Sequence, residues 1–252
     1  MRSAGGVLGQ VVGGLVTGKG PASYAETLAG LKSLAWLSPE QIGRLAEGVV
    51  VESVRRRGAI FRQGDTAARV YVLLSGVAKL SCPGREGEEV LVSLVAPGEI
   101  FGVASFLPDV RRPFLCEAFT DCMVGALEPD LFVATTLGVP FADFSRVLDV
   151  TVGRWWGWLL RYTSFAGLSL AGRLGMALLE LALKFGVKDS RGTILTLRLS
   201  HADLADLVGA SRQRVTKHIQ EFERRRMIMR DGRRLIVLAE KLEDYVRREL
   251  AT

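Results

Sequence analysis

The chain has 252 residues, 48% of them hydrophobic and 24% charged, with a net charge of +6. That balance excludes a collagenous or disordered chain and suits one large or two ordinary domains with a sizeable core. The charge is uneven: residues 169–252 hold 17 Lys/Arg against 11 Asp/Glu, whereas residues 1–168 hold 16 of each. A basic module beside a neutral one points to a polyanionic partner for the last third.

Residues 1–29 read as a flexible N-terminal extension. Six glycines interrupt residues 5–19, and no compact Leu-rich run marks a leader. No later segment holds 18 uninterrupted apolar residues, so no membrane span is expected. Ser38-Pro39-Glu40-Gln41 is a helix-start pattern, with Ser38 as N-cap, Pro39 first in the helix and Gln41 completing a capping box. Ile42, Leu45 and Val49 follow at helical spacing.

From Val51 to Val133, short β-branched runs are cut by Gly-rich turns. The runs are Val51–Arg57, Ala59–Arg62, Val70–Leu74, Val77–Cys82, Val90–Leu94, Phe114–Phe119 and Cys122–Leu127. Their near-regular spacing predicts a small barrel or sandwich, a β-roll domain over residues 30–139. Residues 140–165 then read as one long helix, with Phe141, Phe144, Leu148, Val152, Trp155, Leu159, Tyr162 and Phe165 stepping by three and four. Trp156 and Trp158 add apolar surface beyond that stripe. A helix apolar on two faces must bury both, so Leu148, Val152, Trp155, Leu159 and Tyr162 are expected to form a twofold dimer seam. Residues 140–168 thus form a dimerisation helix and hinge, and residues 169–252 a separate module.

Ser169 caps the next helix, Leu170–Phe185, which Gly186 closes as a C′ glycine. Thr193–Leu199 alternates like a strand. Ser200 and Asp203 form a second capping box, Gly209 sits where a tight turn needs a permissive φ, and Ser211 caps a following helix that buries Val215, Ile219 and Phe222. The spacing of Ala205, Gly209 and Val215 is a helix-turn-helix signature. In that geometry the first turns of the second helix, Ser211, Arg212, Gln213, Arg214 and Lys217, enter the major groove, where Arg reads guanine and Gln adenine. Asp231-Gly232 between two apolar-containing runs marks a hairpin, a wing that sets Arg230, Arg233 and Arg234 along flanking phosphates. The fold class is therefore α+β: a β-roll, a long dimerisation helix and a C-terminal winged helix-turn-helix. Neither GxSxG, HExxH nor a P-loop occurs, and both histidines, His201 and His218, fall in the helix-turn-helix as surface residues, so no enzyme is expected.

The stretches GAIFRQGD (58–65), VYVLLSGVAKL (70–80), PGEIFG (97–102), AGRLGMALLELALKFG (171–186) and LSHADLADLVGASRQRVTK (199–217) resemble the Crp/Fnr family of transcription regulators over about residues 30–250. FGVAS (101–105) and the span from Ala171 onward look closest to the cyanobacterial global nitrogen regulators, a branch that senses 2-oxoglutarate. The resemblance implies a cytoplasmic homodimer, a cyclic-nucleotide-binding-like β-roll, a near-palindromic operator in double-stranded DNA, and RNA polymerase as a further partner. Family members that bind cyclic AMP carry FGE in the phosphate cassette, followed by an Arg-Ser pair. Here Val103 replaces the Glu and Arg111-Arg112-Pro113 stands near the pair; along the long helix, Trp158 and Leu159 replace hydroxyl residues. A neutral Val cannot accept the ribose hydrogen bond, so conventional cyclic AMP binding is not expected.

The three cysteines, Cys82, Cys116 and Cys122, are an odd number without a CxxC pair; they read as reduced thiols, and the extension holds no cysteine cluster for iron–sulfur sensing. Neither histidine is placed for haem, and no metal site is read. Anion chemistry remains. Gly102, Val103 and Ala104 with Arg111, Arg112 and Arg154 are the candidate effector site, the three arginines converging where barrel meets long helix. Arg154 matches an Arg of the nitrogen regulators, although Leu159 stands where those have an acid. Candidate effectors are 2-oxoglutarate, a cyclic nucleotide or a cyclic dinucleotide; the competing expectation is an effector-independent DNA binder whose β-roll is a dimerisation scaffold.

Overall fold

The computed structural model describes residues 21–83, 89–136 and 167–250. The chain divides into two compact units, residues 1–79 with 95–147 and residues 80–94 with 148–252. The expected dimer helix over residues 140–165, with Leu148, Val152, Arg154, Trp155, Leu159 and Tyr162, lies outside the described residues.

The first unit opens on helix α1 (Pro21–Ala29) and a 3-10 turn (Lys32–Leu34). This corrects the reading of residues 1–29 as one extension. Leu28 is buried in the first core, and Tyr24 and Ala25 pack against it. The physical reason is a one-turn apolar stripe, which the glycine-rich stretch before it obscures. Helix α2 (Pro39–Gly48) starts as expected: Ser38 Oγ accepts from Gln41 N at 3.2 Å, and Gln41 Oε1 accepts from Ser38 N at 2.8 Å.

Eight strands follow: β1 (Val50–Val54), β2 (Ala59–Phe61), β3 (Val70–Ser75), β4 (Ala78–Pro83), β5 (Glu89–Val95), β6 (Ile100–Phe101), β7 (Leu115–Ala118) and β8 (Cys122–Leu127). They form two four-stranded sheets, ordered β1-β8-β3-β6 and β2-β7-β4-β5. In the first sheet β8 pairs antiparallel with both β1 and β3, Val51 facing Gly125 and Val72 facing Gly125 from the other side. Period-two alternation turns Val70, Val72 and Leu74 into a core shared with Leu34, Leu45, Leu127 and Phe132. Phe132 comes from helix α3 (Pro129–Thr136), which closes the described part of this unit.

The second unit takes in most of β4 and β5; its C-terminal part begins with helix α4 (Leu170–Phe185), capped by Ser169 Oγ on Gly172 N at 3.2 Å. Gly186 ends the helix, but in extended backbone (φ −93°, ψ 145°) and not as a left-handed C′ glycine. A Cβ there would lie 2.0 Å from the Ala182 carbonyl oxygen, so glycine is needed for close approach as helix runs straight into strand β9 (Gly186–Asp189). Strands β10 (Gly192–Leu195), β11 (Ile228–Asp231) and β12 (Arg234–Val237) complete a sheet ordered β11-β12-β10-β9. Helices α5 (His201–Val208), α6 (Arg212–Arg224) and α7 (Ala239–Leu250) pack with α4 around Leu174, Leu178, Leu204, Val215, Ile219, Phe222 and Leu242, all buried. No helix among the described residues is long and apolar enough to cross a membrane.

Candidate nucleic-acid interface and effector cassette

Helices α5 and α6 are joined by a three-residue turn. Gly209 caps α5 at φ 61°, a left-handed conformation that an L side chain resists, and Ala210 N returns to Ala205 O at 3.0 Å. The Ser200 and Asp203 capping box forms, and Ser211 Oγ accepts from Arg214 N. Buried Val215, Ile219 and Phe222 fix the rotation of α6, so Arg212, Gln213, Arg214 and Lys217 are exposed together on its first turns. Ser211 is exposed at the helix N-terminus, where free backbone N–H groups and the helix dipole favour an anion. Among the described residues no ion pair engages Arg212, Arg214, Lys217, Arg233 or Arg234.

The hairpin β11–β12 turns at Gly232 (φ 60°), with Asp231 facing Arg234. Arg233 and Arg234 are exposed. Arg191, before β10, bonds Asp189 Oδ1 at 2.8 Å and Asp231 Oδ2 at 2.9 Å, which neutralises the one carboxylate at the wing tip. Arg230, expected along the flanking phosphates, is exposed here and held by partners within the module. Its guanidinium is turned onto the Glu223 carboxylate of α6 and donates to His201 Nε2 at 2.9 Å, because its side chain lies between β11 and α6. Arg224 and Arg225 are likewise paired with Glu221. Sequence reasoning missed Arg191, His201, Thr216 and Glu223: the contacts that join them to Asp231, Thr216, His201 and Arg230 span 7 to 40 residues, beyond any local pattern.

In the first unit Gly102 takes a left-handed conformation (φ 76°) and opens one 3-10 turn, Val103–Phe106. A Cβ on Gly102 would stand 2.8 Å from the Tyr71 ring and 3.0 Å from Arg112 Nη1. Arg112 is 3% exposed and lies under this turn. It donates to Gly102 O at 2.7 Å and to Arg69 O, and its guanidinium carbon sits 4.5 Å from the Phe61 ring centre. Phe61, Tyr71 and Phe101 stack around it, with Phe61–Tyr71 centroids 5.6 Å apart. Burial lowers its pKa, opposed by Tyr71, Cys116 and Asp65. No ion pair engages it among the described residues, and its Nε has no hydrogen-bond partner.

Arg111 and Arg112 do not converge. Arg111 is exposed and donates to Gly64 O at 2.8 Å, whereas Arg112 is buried. The reason is extended backbone: Thr66 bridges Arg111, and consecutive side chains point to opposite faces. The half-buried Val103 packs against the apolar core of the unit. Burial pushes the Cys116 thiol far up and the Cys122 thiol to about 11.

The family model of the cyclic nucleotide-binding domain matches residues 51–135, and that of the Crp-like helix-turn-helix domain matches residues 172–245. The global nitrogen regulator of Nostoc sp. is 31% identical over 192 residues, covering 71% of this chain and 81% of the relative. The CRP-like cAMP-activated global transcriptional regulator of Mycobacterium tuberculosis is 26% identical over 217 residues, covering 84% and 94%. Among solved structures, FixK2 from Bradyrhizobium japonicum superposes with a TM-score of 0.66 at 17% identity, covering 78% of this chain and 96% of that one, which shows the shared fold. The chain therefore belongs to the Crp/Fnr family of transcription regulators: a cyclic-nucleotide-binding domain followed by a Crp-like DNA-binding helix-turn-helix, and not an enzyme.

Proposed function

We propose that the chain acts as a homodimer on a near-palindromic operator, and that a small anion at Arg112 gates its affinity. Arg212 and Gln213 read base edges; Ser211, Arg214, Lys217, Arg233 and Arg234 take phosphates. The observation that carries the gating is the buried Arg112 guanidinium, without an ion pair and with an unpartnered Nε. A buried cation is costly unless paired, and an anion would supply the missing partner. Because Arg112 also holds the Gly102 and Arg69 carbonyls, an anion there would compete with bonds that fix the cassette turn. The coupling to operator affinity is bounded by the ligand's differential affinity for two arrangements, typically about 1–3 kcal/mol.

One observation favours a second reading, an effector-independent binder: both Nη groups of Arg112 are already engaged by carbonyls of its own chain. Calorimetric titration of 2-oxoglutarate, cyclic AMP, cyclic GMP and cyclic di-GMP separates the two. The gated reading expects one of them to bind, to shift operator affinity, and to be lost in Arg112→Met. Absence of binding by all four, with unchanged operator affinity in their presence, supports the second reading.

A further inference from the structure

Four side chains from three elements meet in the DNA-binding module: His201 at the start of α5, Thr216 and Glu223 on α6, and Arg230 on β11. Their hydrogen-bond chemistry fixes one protonation state. Thr216 Oγ1 donates its only hydroxyl hydrogen to Arg212 O at 2.8 Å. Towards His201 Nδ1, at 2.8 Å, it must therefore accept, so Nδ1 carries a hydrogen. On the other side of the ring, Arg230 Nη2 lies 2.9 Å from Nε2. A guanidinium has donors only and keeps its charge, so Nε2 presents a lone pair. His201 is thus the neutral Nδ1–H tautomer, accepting from the wing and donating to the recognition helix.

We propose that neutral His201 is a positioning residue, which fixes the wing strand through Arg230 and the recognition helix through Thr216, so that protonation of His201 weakens operator binding. A proton can enter only at Nε2. It would set N–H against N–H at the Arg230 contact and place two cations side by side. Arg230 must then leave, keeping only Glu223, and the wing loses its fixed place against α6. The charged groups around the ring agree. Burial lowers the His201 pKa; Arg230 from β11 and Arg212 from α6 lower it further, and Glu223 from α6 alone opposes. On its own helix, the Asp203 carboxylate is committed to the Ser200 amide and hydroxyl, both at 2.7 Å. The proposal rests on the reading that wing and recognition helix touch DNA together.

The chain holds two histidines, which makes the test clean. Affinity of the full-length protein is measured from pH 8.5 to 5.0 for a duplex recovered at pH 8 from a randomised library. Wild type is expected to be flat above neutrality and to lose affinity below it, approaching about tenfold per pH unit for each histidine that must release its proton. His201→Gln, neutral throughout, is expected to bind more weakly at pH 8 and to lose the pH dependence; His218→Gln is expected to keep the wild-type profile. His201→Asn, which retains a donor towards Thr216, replaces the Gln variant if thermal melting shows that variant unfolded. In the DNA-free protein, nitrogen chemical shifts of labelled histidine at pH 8 are expected to show the Nδ1–H tautomer for one ring, absent from the variant. A flat wild-type profile, a His201→Gln profile with the same slope, or an Nε2–H tautomer would overturn the proposal. If no duplex is recovered at pH 8, the interface reading itself fails, and the nitrogen shifts still decide the tautomer.

Discussion

Two arginines stand at the positive end of the α6 dipole. Arg212 and Arg214 fill its first turn, which has no acidic residue, although that end of a helix favours anions. Arg214 also repels Arg173, whose pKa is lowered by burial and then by Arg214. Such placement opposes folding and suits a phosphate or a base edge. Arg214→Glu is therefore expected to stabilise the folded protein by about 0.3–1 kcal/mol, read by denaturant unfolding, while operator binding collapses. Arg212→Ala is expected to relax preference at one operator position at a cost of about 1–3 kcal/mol. Arg233→Ala should instead weaken all sequences alike, which competition binding on a randomised library distinguishes. His201 adds a pH term to folding itself. Its folded pKa lies below the ordinary 6.5, so the unfolded chain takes up the proton first. The contribution is complete above 6.5 and is lost as pH falls from 6.5 to the folded value. Melting temperature should drop over that window, and the drop should shrink in His201→Gln.

Turns and caps decide how the elements of the DNA-binding module meet. Gly209→Ala places a Cβ at φ 61° and is expected to cost about 1–2 kcal/mol, with the α5–α6 angle disturbed more than either helix. Far-ultraviolet dichroism should stay near wild type while operator affinity falls. The caps at Ser38, Ser169, Ser200 and Ser211 were legible in the sequence, because capping is local and its residue types are few. The β-branched runs gave the strands for the same reason. Strand β6, two residues long, and strand β9, GVKD with no alternation, carry no periodic signal and exist through pairing alone. Helix α7 has its apolar spacing at Leu242 and Val246, yet follows the wing without a capping serine or threonine, so its start carries no local signal. At the sites, exposed basic positions on α6 followed from helical phase. The burial of Arg112 and the pairing of Arg230 with Glu223 and His201 did not, since both depend on partners distant in sequence.

At the scale of the whole chain, the excess positive charge lies wholly in residues 169–252. The DNA-binding module should therefore supply the electrostatic part of affinity, and the rest of the chain should supply its geometry. With Arg214, Lys217, Arg233 and Arg234 on phosphates in each protomer, a dimer neutralises about eight, and log K against log salt should fall with a slope near −7. Two recognition helices held by a twofold axis need half-sites about 34 Å apart, one turn of duplex. The Val152→Glu variant separates these contributions, since a charge in the expected seam would be buried without a partner. It is expected to sediment as a monomer, to halve the salt slope to about −3.6, and to lose its preference for palindromes over single half-sites. If wild type sediments as a monomer at micromolar concentration there is no twofold seam; if Val152→Glu keeps both the slope and the palindrome preference, the seam lies elsewhere on the chain.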